Sequence, residues 1–239
     1  MWRARFKGRT IVETPGSQHF SICVLSESVT SLSTVRDRQP RTSVPAGWPL
    51  VGWCSLAVLA FSAAALAANG TGEAGLRAVI RVSALTSLIL FSSAFSASAL
   101  NRLLRAPVGR WLLANRRYLG VSFAFSHSVH LIAILTLART VPDFKSNPTT
   151  VVLGGLGFVF IAAMTATSFD RTAAWLGPRA WKRLHTTGVY YLWFIFFATY
   201  LPGIGRSRVY LFHVSLLIAA LALRLAARRR RSSAVASRE

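Results

Sequence analysis

Of the five histidines in the chain, four fall where the sequence is most apolar. His127 and His130 lie in RRYLGVSFAFSHSVHL (Arg116 to Leu131), His185 in WKRLHTTGVYYLW (Trp181 to Trp193), and His213 in a later apolar run. An imidazole placed in hydrocarbon is costly, so each is a candidate ligand or proton-relay group. Residues three apart share a helix face, which puts His127 and His130 in one sector. A neutral imidazole is a good axial ligand for haem iron, and helix bundles build such sites from facing helices. His127, His130, His185 and His213 are therefore all candidate cofactor or metal ligands. The competing assignment is a hydrogen bond to a nearby hydroxyl, for which Ser126, Ser128, Thr186 and Thr187 are close in sequence.

These histidines need a membrane bundle to position them. The chain has 53% hydrophobic residues, 15% charged residues and a mean hydropathy of +0.45. That is too apolar for an ordinary soluble domain. Six segments approach the ~20 residues that cross a ~30 Å hydrocarbon core. They run from Trp48 to Ala68, Leu76 to Leu100, Leu119 to Thr140, Thr149 to Phe169, Trp181 to Leu201 and Arg208 to Ala226. The expected fold is all-α: six transmembrane helices over 47–227, a disordered polar tail over 1–46, and a basic cytoplasmic tail over 228–239. Ala65-Leu66-Ala67 has the form of a cleavage site, yet the segment is far from Met1 and longer than the roughly 7–15 residues of a signal peptide's apolar region. It is read as a retained span.

The net charge of +21 does not indicate nucleic acid, because the basic residues sit in tails and short loops without a soluble basic stripe. Twenty-two of the 28 Lys and Arg residues fall on one side of the six-span arrangement. By the positive-inside rule that side is cytoplasmic, with both termini there, in a multi-pass protein of the bacterial cytoplasmic membrane. At a ~1.5 Å rise per residue, His127 lies about 12 Å deep, His130 about 17 Å, His185 about 6 Å and His213 about 20 Å from that side.

Other chemistry finds little support. Cys23 and Cys54 stand alone, without the paired spacing of a thiolate metal site. The spans carry no carboxylate pair, and Asp170 beside Arg171 reads as a solvated pair. Gly154, Gly155 and Gly157 lack the strand and Lys-Ser/Thr of a phosphate loop and read as close helix contacts. Arg81, a turn or two into the second span, offers a fork for a haem propionate or snorkels to the interface. Arg116 and Arg117 offer the same on the opposite side, or act as topology anchors. The aromatic residues from Tyr190 to Tyr200 flank a porphyrin or pack as interface anchors.

The ordered set Arg116-Arg117-x-Leu119-Gly120, His130, Thr167-Ser168, Leu176-Gly177, Trp181 and Leu184-His185 resembles the ferric reductase-like transmembrane domain. Within that group it is most similar to the haem-binding membrane subunit of the bacterial methionine sulfoxide reductase system, over residues 48–226. The resemblance implies that His130 and His185 are b-haem ligands and that electrons cross the membrane. The donor it implies is a separate cytoplasmic flavin reductase or the quinone pool, and the acceptor a periplasmic redox partner, ferric complex or oxygen. Relatives carry a further histidine about thirteen residues after the position of His185, where this chain has Ala198. One haem is therefore expected rather than two, with flavin supplied only through a partner. Two other classes stay open from the residues alone: a cofactor-free scaffold or assembly protein, and a small proton-coupled transporter.

Overall fold

The computed structural model describes residues 44–104, 106–141 and 147–236. The expected tail over 1–46 lies outside the described residues as far as Ser43. Helices follow in the order α1 (Trp48–Asn69), α2 (Glu73–Leu104), α3 (Pro107–Ala114), α4 (Arg116–Thr140), α5 (Pro148–Ala166), α6 (Asp170–Leu176), α7 (Pro178–Tyr200), a short 3-10 turn (Leu201–Gly203) and α8 (Arg208–Ala236). No strand occurs among the described residues.

Local chemistry explains the boundaries. Proline opens α3, α5 and α7, where its missing N–H costs nothing and its fixed φ suits the first turn. The Asn147 side chain accepts the Thr149 N–H at 2.9 Å and caps α5. At the ends of α1 and α6, Gly70 and Gly177 adopt φ of 78° and 77°. Residues with a side chain disfavour that region. Asn115 between α3 and α4 is buried, and its Oδ1 accepts the Gly47 N–H at 2.8 Å, which ties the start of α1 to that junction.

The long α2 is the central element and packs against α1, α3, α4 and α8, while α7 lies between α5 and α8. Small residues bring α2 and α4 together: Ser83, Ser87, Ser122 and Ser126 are fully buried. Where α2, α4, α5, α7 and α8 meet, Phe91, Phe95, Phe123, Leu192, Phe196 and Leu217 form the core.

Large apolar side chains cover the outside instead of avoiding it. Trp53, Leu56 and Phe61 on α1, Val151, Val152 and Val159 on α5, and Leu211, Phe212 and Ile218 on α8 are all exposed. A soluble monomer does not present patches of this extent. Five helices (α1, α2, α4, α5 and α8) are long and apolar enough to cross a bilayer, so this is a multi-pass membrane protein with lipid-facing helices.

The arrangement differs from the expected one at three places. The fifth expected segment is a helix, α7, but Arg183, His185, Thr186, Thr187 and its tyrosines leave it less apolar than the five helices that are long and apolar enough to cross a bilayer. Two short helices, α3 and α6, occupy what the sequence presents as loops. Finally, α8 continues to Ala236, through most of the expected basic tail.

Close packing at α3 yields a stability prediction. A Cβ on Gly109 would come within 2.8 Å of the Asn101 Cα, a backbone atom that cannot turn aside. Gly109→Ala is expected to lower stability by about 1–3 kcal/mol through overpacking. A Cβ on Gly154 would meet nothing within 4 Å. Gly154→Ala should therefore gain up to about 1 kcal/mol from helix propensity. Denaturant titration of both variants in detergent checks the opposite signs.

Candidate functional site: a cationic cavity at the basic end of the bundle

A cavity of about 590 Å³ opens where α2, α4, α5, α7 and α8 converge. This is within the ~300–1,000 Å³ of sites that hold small molecules and cofactors. Its inner wall is apolar, formed by Phe91, Phe95, Phe123, Ile161 and Leu192, and its outer part carries Arg116, Arg117, Lys182 and Arg224. Gly120 lies on the wall, and a Cβ added there would meet nothing within 4 Å, so the cavity reaches the α4 backbone at that point.

The charges are unbalanced. Arg117 Nη1 donates to Asp170 Oδ1 at 2.8 Å, and the Asp170 side chain is 94% exposed. No carboxylate pairs with Arg116, Lys182 or Arg224 among the described residues. Arg224 instead lies over the Phe95 ring at 4.2 Å and the Tyr190 ring at 5.0 Å, and its buried Nη1 has no hydrogen-bond partner. Cation–π contact offsets part of the desolvation of a guanidinium but leaves its charge uncompensated. An apolar interior behind a cationic mouth suits an amphipathic ligand with anionic groups at one edge.

His185 is the histidine on the cavity wall. Its ring stacks on Trp181 at 4.2 Å between centroids, and its Nε2 lies 3.1 Å from Thr167 Oγ1. The Thr167 hydroxyl donates to the Ala163 carbonyl at 2.7 Å, so its oxygen accepts from an Nε2–H on His185. That assignment from the hydrogen-bond network leaves the Nδ1 lone pair available. Trp181 Nε1 also donates to the Thr167 carbonyl at 2.9 Å, which fixes the indole behind the imidazole.

The other three histidines lie elsewhere. His130 Nδ1 is 3.1 Å from the Ile80 carbonyl and 3.2 Å from Ser83 Oγ on α2. A carbonyl only accepts, so Nδ1 carries the proton and Nε2 the lone pair, the arrangement that prepares an imidazole for metal. Its hydroxyl neighbour is thus on α2, while Ser126 and Ser128 of its own helix bond other groups. His127 stacks on His130 at 5.1 Å and on Phe158 at 4.9 Å, and its buried Nδ1 has no hydrogen-bond partner. His213 is buried against Tyr200, with ring centroids 4.5 Å apart, and Nδ1 donates to the Val209 carbonyl one turn back.

His130 and His185 therefore line no common cavity. His127 lies nearer to it, one turn beyond Phe123 on the same face of α4, and its ring contacts both Phe123 and Phe196. Arg81 is exposed near the start of α2, thirteen residues before Ala94 on the cavity wall, and does not line the cavity. The basic residues that do line it are Arg116, Arg117, Lys182 and Arg224. Lys182 and Arg224 count in the sequence only as topology charges. The available signal was register: Arg224 continues the buried α8 stripe of His213, Leu217 and Ala220 at spacings of four, three and four.

Beyond the cavity, α2 and α4 share a hydroxyl network. The Ser126 hydroxyl lies 2.8 Å from Thr86 Oγ1, accepts from Ser87 at 2.9 Å, and donates to the Ser83 carbonyl at 3.3 Å. The glycines expected as close contacts divide: Gly157 meets Leu192 at 3.6 Å, whereas Gly154 and Gly155 meet nothing.

Fold and cavity together define a polytopic helical membrane protein with a histidine-bearing, cation-mouthed cavity. No family model, curated protein or solved structure matches the chain.

Ser126→Ala removes three interhelical contacts at once. It is expected to cost about 1–2 kcal/mol, the range for hydrogen bonds between membrane helices. Ser93→Ala, whose hydroxyl bonds only the Ile89 carbonyl of its own exposed turn, should change little. Unfolding of each variant by titrated dodecyl sulfate checks the contrast.

Proposed function

We propose that the chain is a membrane electron-transfer subunit and that its cavity holds a single b-type haem. The observation that carries this reading is the coincidence, in one cavity, of an imidazole, an apolar wall and unpaired cations. The residues fit such a group. His185 offers a lone pair from the wall, Arg116 and Lys182 can pair with two carboxylates, and Phe91 and Phe123 keep water from the inner end. The orphaned Nδ1 of His127, just past Phe123, is the second candidate ligand. The sequence resemblance gives that role to His130; neither His127 nor His130 lines the cavity, and His127 is favoured because its ring touches the wall residue Phe123, with His130 stacked behind it. Bound there, haem would supply one-electron chemistry. The chain's own part is to fix the imidazoles, neutralise the carboxylates and set the polarity of the site.

In this reading α7 is a sixth span. Tyr191 bonds the Leu153 carbonyl of α5, and Trp193 bonds the Leu217 carbonyl of α8, at 2.8 and 3.0 Å. At its ends, His185 meets Thr167 near the end of α5, and Tyr200 stacks on His213 near the start of α8. A helix that lies lengthwise along two spans is carried across with them, and its basic first turns remain at the basic end. Six crossings put both termini on that side, which the positive-inside rule makes cytoplasmic. Electrons would enter from a cytoplasmic flavin reductase or from quinone and leave to a periplasmic acceptor, in the bacterial inner membrane.

Full-length protein from haem-replete cells should show a Soret band that shifts on dithionite reduction. His185→Ala and His127→Ala should abolish or alter it, and His213→Ala should leave it unchanged. Gly120→Phe, which fills the cavity from α4, should fold and lose the band. A colourless wild type, or a normal spectrum in His185→Ala, contradicts the reading.

A further inference from the structure

A second recess of about 140 Å³ lies behind the first, between the last turns of α2 and the basic end of α8. It is lined by Ser98, Ala99 and Arg102 of α2 and by Arg224, Ala227 and Arg228 of α8. Three arginines thus line a small, mostly polar hollow, and no acidic residue lines it among the described residues.

Ion pairing does not account for this cluster, and aromatic packing accounts for it only in part. Arg224 and Arg228 are one turn apart on α8, a like-charge spacing that destabilises a helix. Both lie over the same Tyr190 ring, Arg224 at 5.0 Å and Arg228 at 5.6 Å, so one aromatic face serves two cations. Arg102 and Arg228 enter no ion pair with a carboxylate among the described residues. Arg224 keeps a buried Nη1 without a hydrogen-bond partner. That unmet donor adds to the cost of holding three cations together, a cost that an anion in the recess would lower.

From this geometry we infer a binding site for a phosphate group between α2 and α8. Guanidinium groups grip phosphate oxygens with two parallel hydrogen bonds, and three of them match a tetrahedral anion better than a single carboxylate. Basic recesses between helices at the charged end of a bundle are where anionic headgroups bind. The phosphate is either that of an anionic phospholipid or inorganic phosphate. This site does not require haem: Arg102 and Arg228 do not line the larger cavity.

The test uses full-length protein in a neutral detergent, titrated with phosphatidylglycerol, phosphatidylcholine or inorganic phosphate and followed by thermal unfolding and native mass spectrometry. Phosphatidylglycerol should bind more tightly than phosphatidylcholine by on the order of tenfold. Inorganic phosphate that protects alone, and competes with the lipid, assigns the site to the free anion; lipid preference without that protection assigns it to the headgroup. In Arg102→Gln/Arg228→Gln the preference should fall to nothing. Arg228→Gln alone, on an exposed α8 position, should weaken it severalfold and serves where the double variant does not fold. Both should keep the wild-type absorption spectrum, which separates this site from the haem reading. Equal binding of the two lipids with no phosphate effect overturns the inference, as does a Gln variant that folds and retains the full preference.

Discussion

Uncompensated positive charge next to an apolar interior is the constraint on which the site depends. Arg116, Lys182 and Arg224 face the cavity without a carboxylate, and the single acid there, Asp170, is already engaged by Arg117. Removing a cation from water costs several kcal/mol unless a partner replaces the lost hydration. The arrangement is eased where the cavity opens at the bundle's basic end, because Lys182 there is exposed. A ligand with anionic groups at one edge and a flat apolar body would relieve the imbalance while filling the Phe91 and Phe123 wall.

Polar groups deeper in the bundle follow the same logic and satisfy it internally. Ser83, Ser87 and Ser126 are fully buried, yet each bonds a carbonyl or another hydroxyl across or along the α2–α4 interface. His130 and His213 each donate to a backbone carbonyl. His127 departs from this with a buried ring nitrogen left unmade, as do the Ser92 hydroxyl on α2 and the Tyr190 hydroxyl on α7. Each such atom calls for a partner, and the His127 nitrogen is the one among them that belongs to an imidazole.

Much of the fold was legible because membrane spans leave a strong signal. The six apolar runs fall on α1, α2, α4, α5, α7 and α8, with Gly70 at the end of α1 and Pro148 and Pro178 at the starts of α5 and α7. The short helices were not legible: α3 and α6 have eight and seven residues, too few for a period to emerge. The candidate site was legible in part. His185 stands on the cavity wall, but its contacts with Thr167 and Trp181 depend on how α5 and α7 pair, and no local pattern encodes that register. Arg224 was hidden for a different reason. A basic residue near a span end satisfies the topology rule so readily that its place on the buried stripe of α8 passes unnoticed.

The central claim is that iron sits in the cationic cavity beside His185. Anomalous diffraction at the iron edge, from crystals of full-length protein grown in lipid, tests it most directly. An iron peak inside the cavity next to the His185 ring is the expected result. A cavity filled by lipid or detergent without an iron peak, or a peak beside His130 and α2 away from His185, would contradict it.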